Sequence, residues 1–583
     1  MLPTPNLPQA SSRGRLRTEI LLCGIVLYTV CFWIHCDDHW WHMLTGRLVL
    51  ETGRVPGSDP FSFTFQGAPW TNWEWLAGVV MHLAWSAAGP LGLTLLRALA
   101  FSGTVLVALR HWRRLGGRPL ESLDRGRELA ATLIGAALLL GVQVRVADRP
   151  HTYAFLLLAS AHALTTRLRE RWSLPAAAGL VALFAFWVNF HPSWMLGMGL
   201  CGAVLADGVL ADARREGPRA ALARHRGRIA LGLAMVASTL LTPNADHFFT
   251  ALSDIFREQV SGEWEPLWSF FSITQVPLMT FALVAAAWAA SLVRTFRSRE
   301  LPAAEPLQQI VLAVLLVLAF RHVMLTPVFV IVAIPYLRLD RLGWGAAVRS
   351  LIPQGKPQAG RTETLASVFL LLITLGLAQY VLGFLGTLGI GVDPRSNPEA
   401  RADFLREHRL GGKILCTSKE AHGYMAFRLW PAATIYIDGR VPQVFPVSFL
   451  ERYLQIGDPR VLSGEIDRYG IDHVVLVAGL FAPVNLQIAE ALSARGDFAL
   501  VDFDENGALW SRTRSGAWPC AGCRPFELLD PYRLRRRPPG AKLSDTPALR
   551  EELARLDALA DRSRLARDLA RGARREAGIP QSR

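Results

Sequence analysis

The chain has 583 residues, of which 51% are hydrophobic and 19% charged, and its mean hydropathy is +0.25. That balance excludes an ordinary soluble protein, and apolar runs recurring from Ile20 to Ala378 predict a polytopic membrane protein. A formal net charge of +14 invites a nucleic-acid reading, but the arginines cluster in short loops between apolar runs, so no nucleic-acid partner is expected.

Arg13, Arg15 and Arg17 precede the first apolar run, Ile20 to Cys36. No small-residue cleavage site follows it, so the run reads as a retained helix rather than a signal peptide. Residues 1–19 are then cytoplasmic, and the helix delivers Asp37 and Asp38 to the far side, opening a turn-rich loop over 37–74. The next apolar stretch, Trp75 to Ala88, is short and ends at "AAGPLG". Reading it as an interfacial helix keeps "RHWRRLGGR" (110–118) on the cytoplasmic side. Further spans are expected near 91–109, 128–147, 151–166, 173–190, 193–211, 228–243, 276–293, 307–320, 323–337 and 364–390, about eleven with the first. The basic clusters at 167–171, 212–228, 294–300 and 338–349 then also fall inside.

The opposite turns differ in kind. They read "RVADRPH" (145–151), "VNFHPSW" (188–194), "LTPNADHFF" (241–249) and "AFRHVM" (319–324). Each is short and carries Arg, His, Asn or Asp on the side of Asp37 and Asp38. Singly, such residues are ordinary caps and solvated helix ends. Together they suggest a polar chamber at the outer membrane surface, in which the paired aspartates are used.

Beyond residue 392 the chain changes character. "KILCTS", "TIYIDGR", "HVVLVAG" and "FALVDFDE" read as buried strands between helical stretches, predicting a small α/β domain over 393–515. No G-x-G-x-x-G or P-loop fingerprint occurs in it. Asp438 and Arg440, in "YIDGRV", read as a structural turn or as a binding motif. "CAGC" (520–523) lacks the second pair that zinc needs, so a local disulfide is expected there. Residues 516–583 form a charged helical tail whose arginines suit anionic lipid headgroups.

The segment "DDHWWHMLTGRLVLETGRVPGSDPFSFTFQGAPWTNWEWL" resembles a group of bacterial multi-span membrane proteins. Their first outer loop has the pattern D-x-W-W-H-x-x-T-G, followed by P-x-x-D-P-F-S. "RPH", "WVNFH", "LTPN" and the D-G-R are similar to later motifs of that group. The layout in turn resembles the GT-C superfamily of membrane glycosyltransferases. The resemblance implies an α-helical polytopic membrane domain (20–392) with a small C-terminal α/β domain outside the cytoplasmic membrane. It also implies transfer of a sugar from a polyprenyl-phosphate carrier to a glycan, lipid or protein acceptor at that outer face. A non-enzymatic transporter or scaffold for surface-polymer assembly is the alternative.

Such a transfer needs a base for the acceptor's proton and groups that stabilise the departing phosphate. Asp37 or Asp38 is the expected base, with Asp59 as third choice. Arg149 and His151, with Arg321 and His322, are candidates for the phosphate, and His191 and Asn244 for sugar hydroxyls or for ending helices. His39 and His42 lie three apart. With the aspartates they complete a divalent metal site, or beside Trp40 and Trp41 they belong to an interfacial aromatic belt. Asp-Asp-His departs from the usual D-x-D or E-D form, which leaves metal use open.

Overall fold

The computed structural model describes residues 12–35, 37–115, 127–143, 145–247, 266–267, 275–297, 306–338, 359–385, 388–513, 518, 520, 524–538 and 541–580. The chain divides into two compact units. One comprises Met1–Trp33 and Trp73–Gly391, the other Ile34–Asn72 and Val392–Arg583. The turn-rich first loop, which the sequence reading set with the membrane helices, groups instead with the C-terminal residues.

The first unit is helical. Its longer helices are Ser12–Val30, Trp75–Leu115, Arg127–Gln143, Pro150–Glu170, Leu174–Trp187, Trp194–Glu216, Gln275–Arg297, Pro306–Arg321 and Ala359–Leu385. Proline at a first helical turn starts several of them, where its missing N–H costs nothing and its fixed φ is already helical. Trp75–Leu115 is two helices joined by a kink. Ala88 and Gly89 leave helical geometry there, Gly89 at φ 55°, and Pro90 cannot donate to the preceding turn. A β-carbon on Gly92 would lie 1.9 Å from the Ala84 carbonyl oxygen, so only glycine permits the kinked segments to approach. The sequence break at "AAGPLG" is this kink.

Among the described residues, three helices are long and apolar enough to cross a membrane: Trp75–Leu115, Trp194–Glu216 and Val276–Thr295. Six shorter apolar helices accompany them. These helices do not confirm the expectation of about eleven spans. Leu174–Trp187, for example, has 14 residues, an extent of roughly 21 Å against a hydrocarbon core of about 30 Å. The apolar runs continue past such short helices into turns, whereas Pro150–Glu170 and Trp194–Glu216 outrun their expected spans. Leu22, Phe101, Trp112, Phe184, Trp187, Phe281 and Phe329 anchor the core.

Arg97 lies fully buried in this helical core. Its Nη2 donates to the carbonyls of Val30 (2.6 Å) and Phe32 (3.0 Å), its Nε donates to Val30 (3.1 Å), and its Nη1 pairs with Asp148. A buried guanidinium is tolerable only when paired and hydrogen-bonded, and this one also satisfies carbonyls left open at a helix end. Nothing in the sequence pattern singled it out.

The second unit is an α/β layer. Strands β1 (Gly412–Cys416), β2 (Ala433–Ile435), β3 (His473–Leu476), β4 (Phe498–Asp504) and β5 (Gly507–Arg512) form one sheet in the order β2-β1-β3-β5-β4. β2, β1 and β3 are parallel, and β5 and β4 add as an antiparallel hairpin. The first loop extends this sheet. Ser62 bridges Ile435 in parallel, Phe63 N–H donates to the Ile435 carbonyl, and Ile435 N–H donates to that of Phe61. Trp40 Nε1 donates to Asn397 Oδ1 (2.8 Å), Trp430 Nε1 to the Pro60 carbonyl (3.1 Å) and Trp70 Nε1 to Gln443 Oε1 (3.1 Å). Trp40 and Trp70 of the loop thus serve as packing groups with satisfied indole N–H donors. Two tail helices, Pro547–Leu559 and Arg564–Ala577, follow, and Cys520 is disulfide-bonded. Cys523, its expected partner, lies outside the described residues.

Candidate functional site

The aspartate pair opens the helix His39–Thr52, with Asp38 at the N-cap. Asp38 N–H donates to Asp37 Oδ1 (2.8 Å), and both residues are half-buried. The positive end of the helix dipole and its open N–H groups favour negative charge at this place, which explains how two neighbouring carboxylates are held there.

Asp38 lies against the Asp-Gly-Arg turn. A β-carbon on Gly439 would meet Asp38 Oδ1 at 1.7 Å and Trp41 Nε1 at 3.1 Å. Next to it, the Asp438 carboxylate takes Arg440 Nε (2.9 Å) and Nη2 (2.7 Å), and the same Nη2 pairs with Asp59 Oδ1 (2.7 Å). All three charged side chains are at most 1% exposed. Trp70 and Phe61 hold their rings 4.6 and 5.0 Å from the guanidinium carbon. Burial pushes the Asp438 carboxyl above the ordinary aspartate range, against the pull of Arg440 and with Asp59 adding to the rise. Burial also opposes the charge on Arg440, but Asp438 and Asp59 together raise its pKa. The Asp-Gly-Arg motif is therefore a structural clamp between the first loop and the sheet.

Asp59 belongs to that clamp. Besides Arg440 it accepts from Phe61 N–H (3.0 Å), Ser62 N–H (3.2 Å) and the Ser62 hydroxyl. Such a carboxylate is committed to local structure, which does not suit the role of third candidate base. His39 and His42 are also buried, His39 tilted against Trp40 and His42 stacked on Trp41 at 3.5 Å. Among the described residues no three His, Cys, Asp or Glu side chains gather as a metal-holding group. The spacing of three puts both imidazoles on one packed helix face, each against a neighbouring tryptophan.

In the helical unit, three of the predicted polar turns come together. Asn189 accepts from Trp75 Nε1 (3.0 Å) and donates to the carbonyls of Ala185 (2.9 Å) and Leu241 (2.8 Å). It thus ties the start of one helix to the "VNFHPSW" and "LTPN" turns. His191 Nδ1 accepts from Ser193 N–H (3.1 Å), which leaves its proton on Nε2, 3.4 Å from Glu74 Oε1. His151 Nε2 donates to the Arg145 carbonyl (2.8 Å), and its ring lies 6.4 Å from that of His191. Asn189 and Glu74 were not among the predicted site residues. Both are legible in "WTNWEW" and "WVNFH", the latter ending at His191.

The other candidates are placed as follows. Arg149 is the half-buried N-cap of Pro150–Glu170, in extended backbone. Asn244 N–H donates to Thr242 Oγ1 (3.3 Å) inside its own turn. Arg321 ends Pro306–Arg321 and is exposed, and His322 N–H closes that helix on the Leu318 carbonyl (2.8 Å).

No family model matches the chain, and no curated protein does. Solved structures do. The archaeal oligosaccharyltransferase AglB from Archaeoglobus fulgidus, in complex with an inhibitory peptide and a dolichol-phosphate, aligns at TM-score 0.53 and 12% identity. That alignment covers 86% of this chain and 74% of that one. The apo form of the Archaeoglobus fulgidus oligosaccharyltransferase gives 0.53 at 11%, covering 82% and 71%. ArnT from Cupriavidus metallidurans, bound to undecaprenyl phosphate, gives 0.49 at 12%, covering 87% and 100%. The two oligosaccharyltransferase likenesses define a fold, which agrees with the GT-C-like resemblance read from the sequence. Identities this low speak for the fold alone.

Proposed function

We propose that the protein is an inverting membrane glycosyltransferase that takes a sugar from a polyprenyl-phosphate donor. The observation that carries this reading is the Asp37–Asp38 pair, held half-exposed at a helix N-terminus in a chain of this fold. One of the two takes the acceptor hydroxyl's proton, and the freed oxygen attacks the anomeric carbon. The bond from that carbon to phosphate then breaks, its electron pair leaving with the polyprenyl phosphate. Arg149 and His151, and Arg321 with His322, are the proposed partners of the phosphate charge, Arg149 first because a guanidinium matches phosphate bidentately. His191 and Asn244 are the proposed contacts to sugar hydroxyls.

Residues 34–72 and 392–583 fold as one hydrogen-bonded unit, which supports placing both on one side of the membrane. The arginine-rich loops favour the outer face of the cytoplasmic membrane for that side. The test is turnover of radiolabelled polyprenyl-phosphate sugars by purified protein in lipid nanodiscs. Transfer that disappears in Asp37→Asn or Asp38→Asn supports the reading. Failure to consume any such donor sinks it.

A further inference from the structure

We propose that the C-terminal α/β layer carries a binding site for a neutral, hydroxyl-rich ligand, a sugar, in the cleft at the carboxyl ends of β1 and β3. The cleft has a volume of about 440 Å³, within the range of roughly 300–1,000 Å³ typical of small-molecule sites. Its place follows from the topology. From β1 the chain moves to β2 on one side and then returns to β3 on the other, so β1 and β3 flank the point where strand order reverses. Crossovers leave in opposite directions at such a point and open a crevice beyond the strand ends, where open α/β sheets bind ligands.

Thr417, the residue after β1, forms the base of this cleft, with Gln455 and Asp458 from one wall and Val484 and Gln487 from the helix Pro483–Arg495. The Thr417 hydroxyl oxygen accepts from Val477 N–H (3.0 Å), which leaves its own proton to donate elsewhere. Tyr453 donates its hydroxyl to the Cys416 carbonyl (3.0 Å), so its ring serves as wall. Gly457 lets the facing wall come close, since a β-carbon there would meet Val484 at 3.2 Å and Gln487 Oε1 at 3.3 Å.

The chemistry of the lining selects the ligand. No Arg, Lys or His lines the cleft, which disfavours phosphates and carboxylates, and the chain lacks a phosphate-binding glycine loop. Two primary amides, a hydroxyl and a carboxylate offer paired donors and acceptors, the complement of vicinal hydroxyls. Leu454 (72% exposed) and Val484 (40% exposed) add apolar surface for the C–H face of a sugar ring. The proposal stands on this cleft and is independent of the transferase reading, because it is tested by binding.

The full-length protein, in a detergent without a sugar headgroup, is titrated calorimetrically with the methyl glycosides of glucose, mannose and galactose. Inorganic phosphate and AMP serve as anionic controls. Saturable binding of at least one glycoside is expected, weakened tenfold or more by Gln487→Ala or Val484→Trp, both exposed helix positions whose exchange leaves the fold intact. The proposal is overturned if no glycoside binds, or if binding is unchanged in both variants. It is equally overturned if phosphate or AMP is the ligand that these variants release.

Discussion

Asp38 and Gly439 meet so closely that a β-carbon on the glycine would lie 1.7 Å from the Asp38 carboxylate oxygen. The nearest obstacle is the end of a short side chain, so Gly439→Ala moves the carboxylate rather than breaking the backbone. A stability loss of about 1–2 kcal/mol is expected, typical of overpacking. A loss of transfer rate close to that of Asp38→Asn should accompany it. Thermal unfolding and donor turnover, measured on the same preparation, check the pair of outcomes. An alanine variant with full activity would separate Asp38 from the chemistry.

The aspartates themselves give the more direct test. Asp37 and Asp38 sit at a helix start where neither side chain fills the core, so replacement by asparagine should leave the folded fraction nearly unchanged. Removal of the base should slow transfer about a hundredfold or more. Near wild-type rates in both single variants would exclude the assignment.

The Arg440 clamp should behave in the opposite way, affecting stability before rate. Arg440→Ala leaves Asp438 and Asp59 buried together without their cation, an expected cost of about 3–5 kcal/mol. Arg440→Met keeps the stem, and with Asp59→Asn and Asp438→Asn added it should recover much of that loss. Hydrogen exchange across 59–63 and 433–440 is the readout, because those strands are what the clamp joins.

Much of this architecture was legible in the sequence, for physical reasons that can be named. β1 to β4 were visible as runs of buried apolar residues between helical stretches. β5 was not, because "GALWSR" follows β4 across a tight turn and its apolar run, Ala508 to Trp510, is only three residues long. Hydropathy found the helices but not their ends, which are decided by prolines and kinks such as Ala88–Gly89. The clamp was unreadable because Asp59 and Arg440 lie far apart in the chain and only the fold brings them together. Polar residues whose types suit chemistry therefore include some, Asp59 above all, that hold the fold. Arg97 is the same case inside the helices.

A pH dependence follows from His422. It is fully buried, its Nε2 accepts from Cys416 N–H (2.8 Å) and its Nδ1 donates to the Ser418 carbonyl (3.1 Å). Burial lowers its pKa to about 3 from 6.5. The native state then stays neutral over a range in which the unfolded chain binds a proton. Stability from this group is complete above about pH 6.5 and falls as the pH drops, by about 1.4 kcal/mol per unit, until the pH approaches 3. His422→Gln keeps a donor and an acceptor but does not titrate. Unfolding curves between pH 7 and 4 should therefore be flatter for the variant by that slope. Parallel curves would show that His422 is not the group responsible.

Arg149 offers a test of the phosphate assignment. Its backbone is extended at the N-cap, and Pro150 fixes φ at the next position, so the side chain leaves a rigid point at the start of a helix. Two roles suit a guanidinium at such a place, contact with lipid headgroups and recognition of the donor phosphate. They respond differently to lysine. A headgroup contact needs only charge on a flexible stem, which lysine supplies equally well. A phosphate held by two parallel N–H donors needs the planar fork, which lysine lacks. Arg149→Lys should therefore impair donor binding nearly as much as Arg149→Ala, with affinity for anionic vesicles unchanged. Donor binding is measured with defined polyprenyl-phosphate sugars in detergent, away from bulk lipid. If the lysine variant binds donor as wild type does, Arg149 is an interfacial arginine and the phosphate partner must be sought elsewhere in the helical unit.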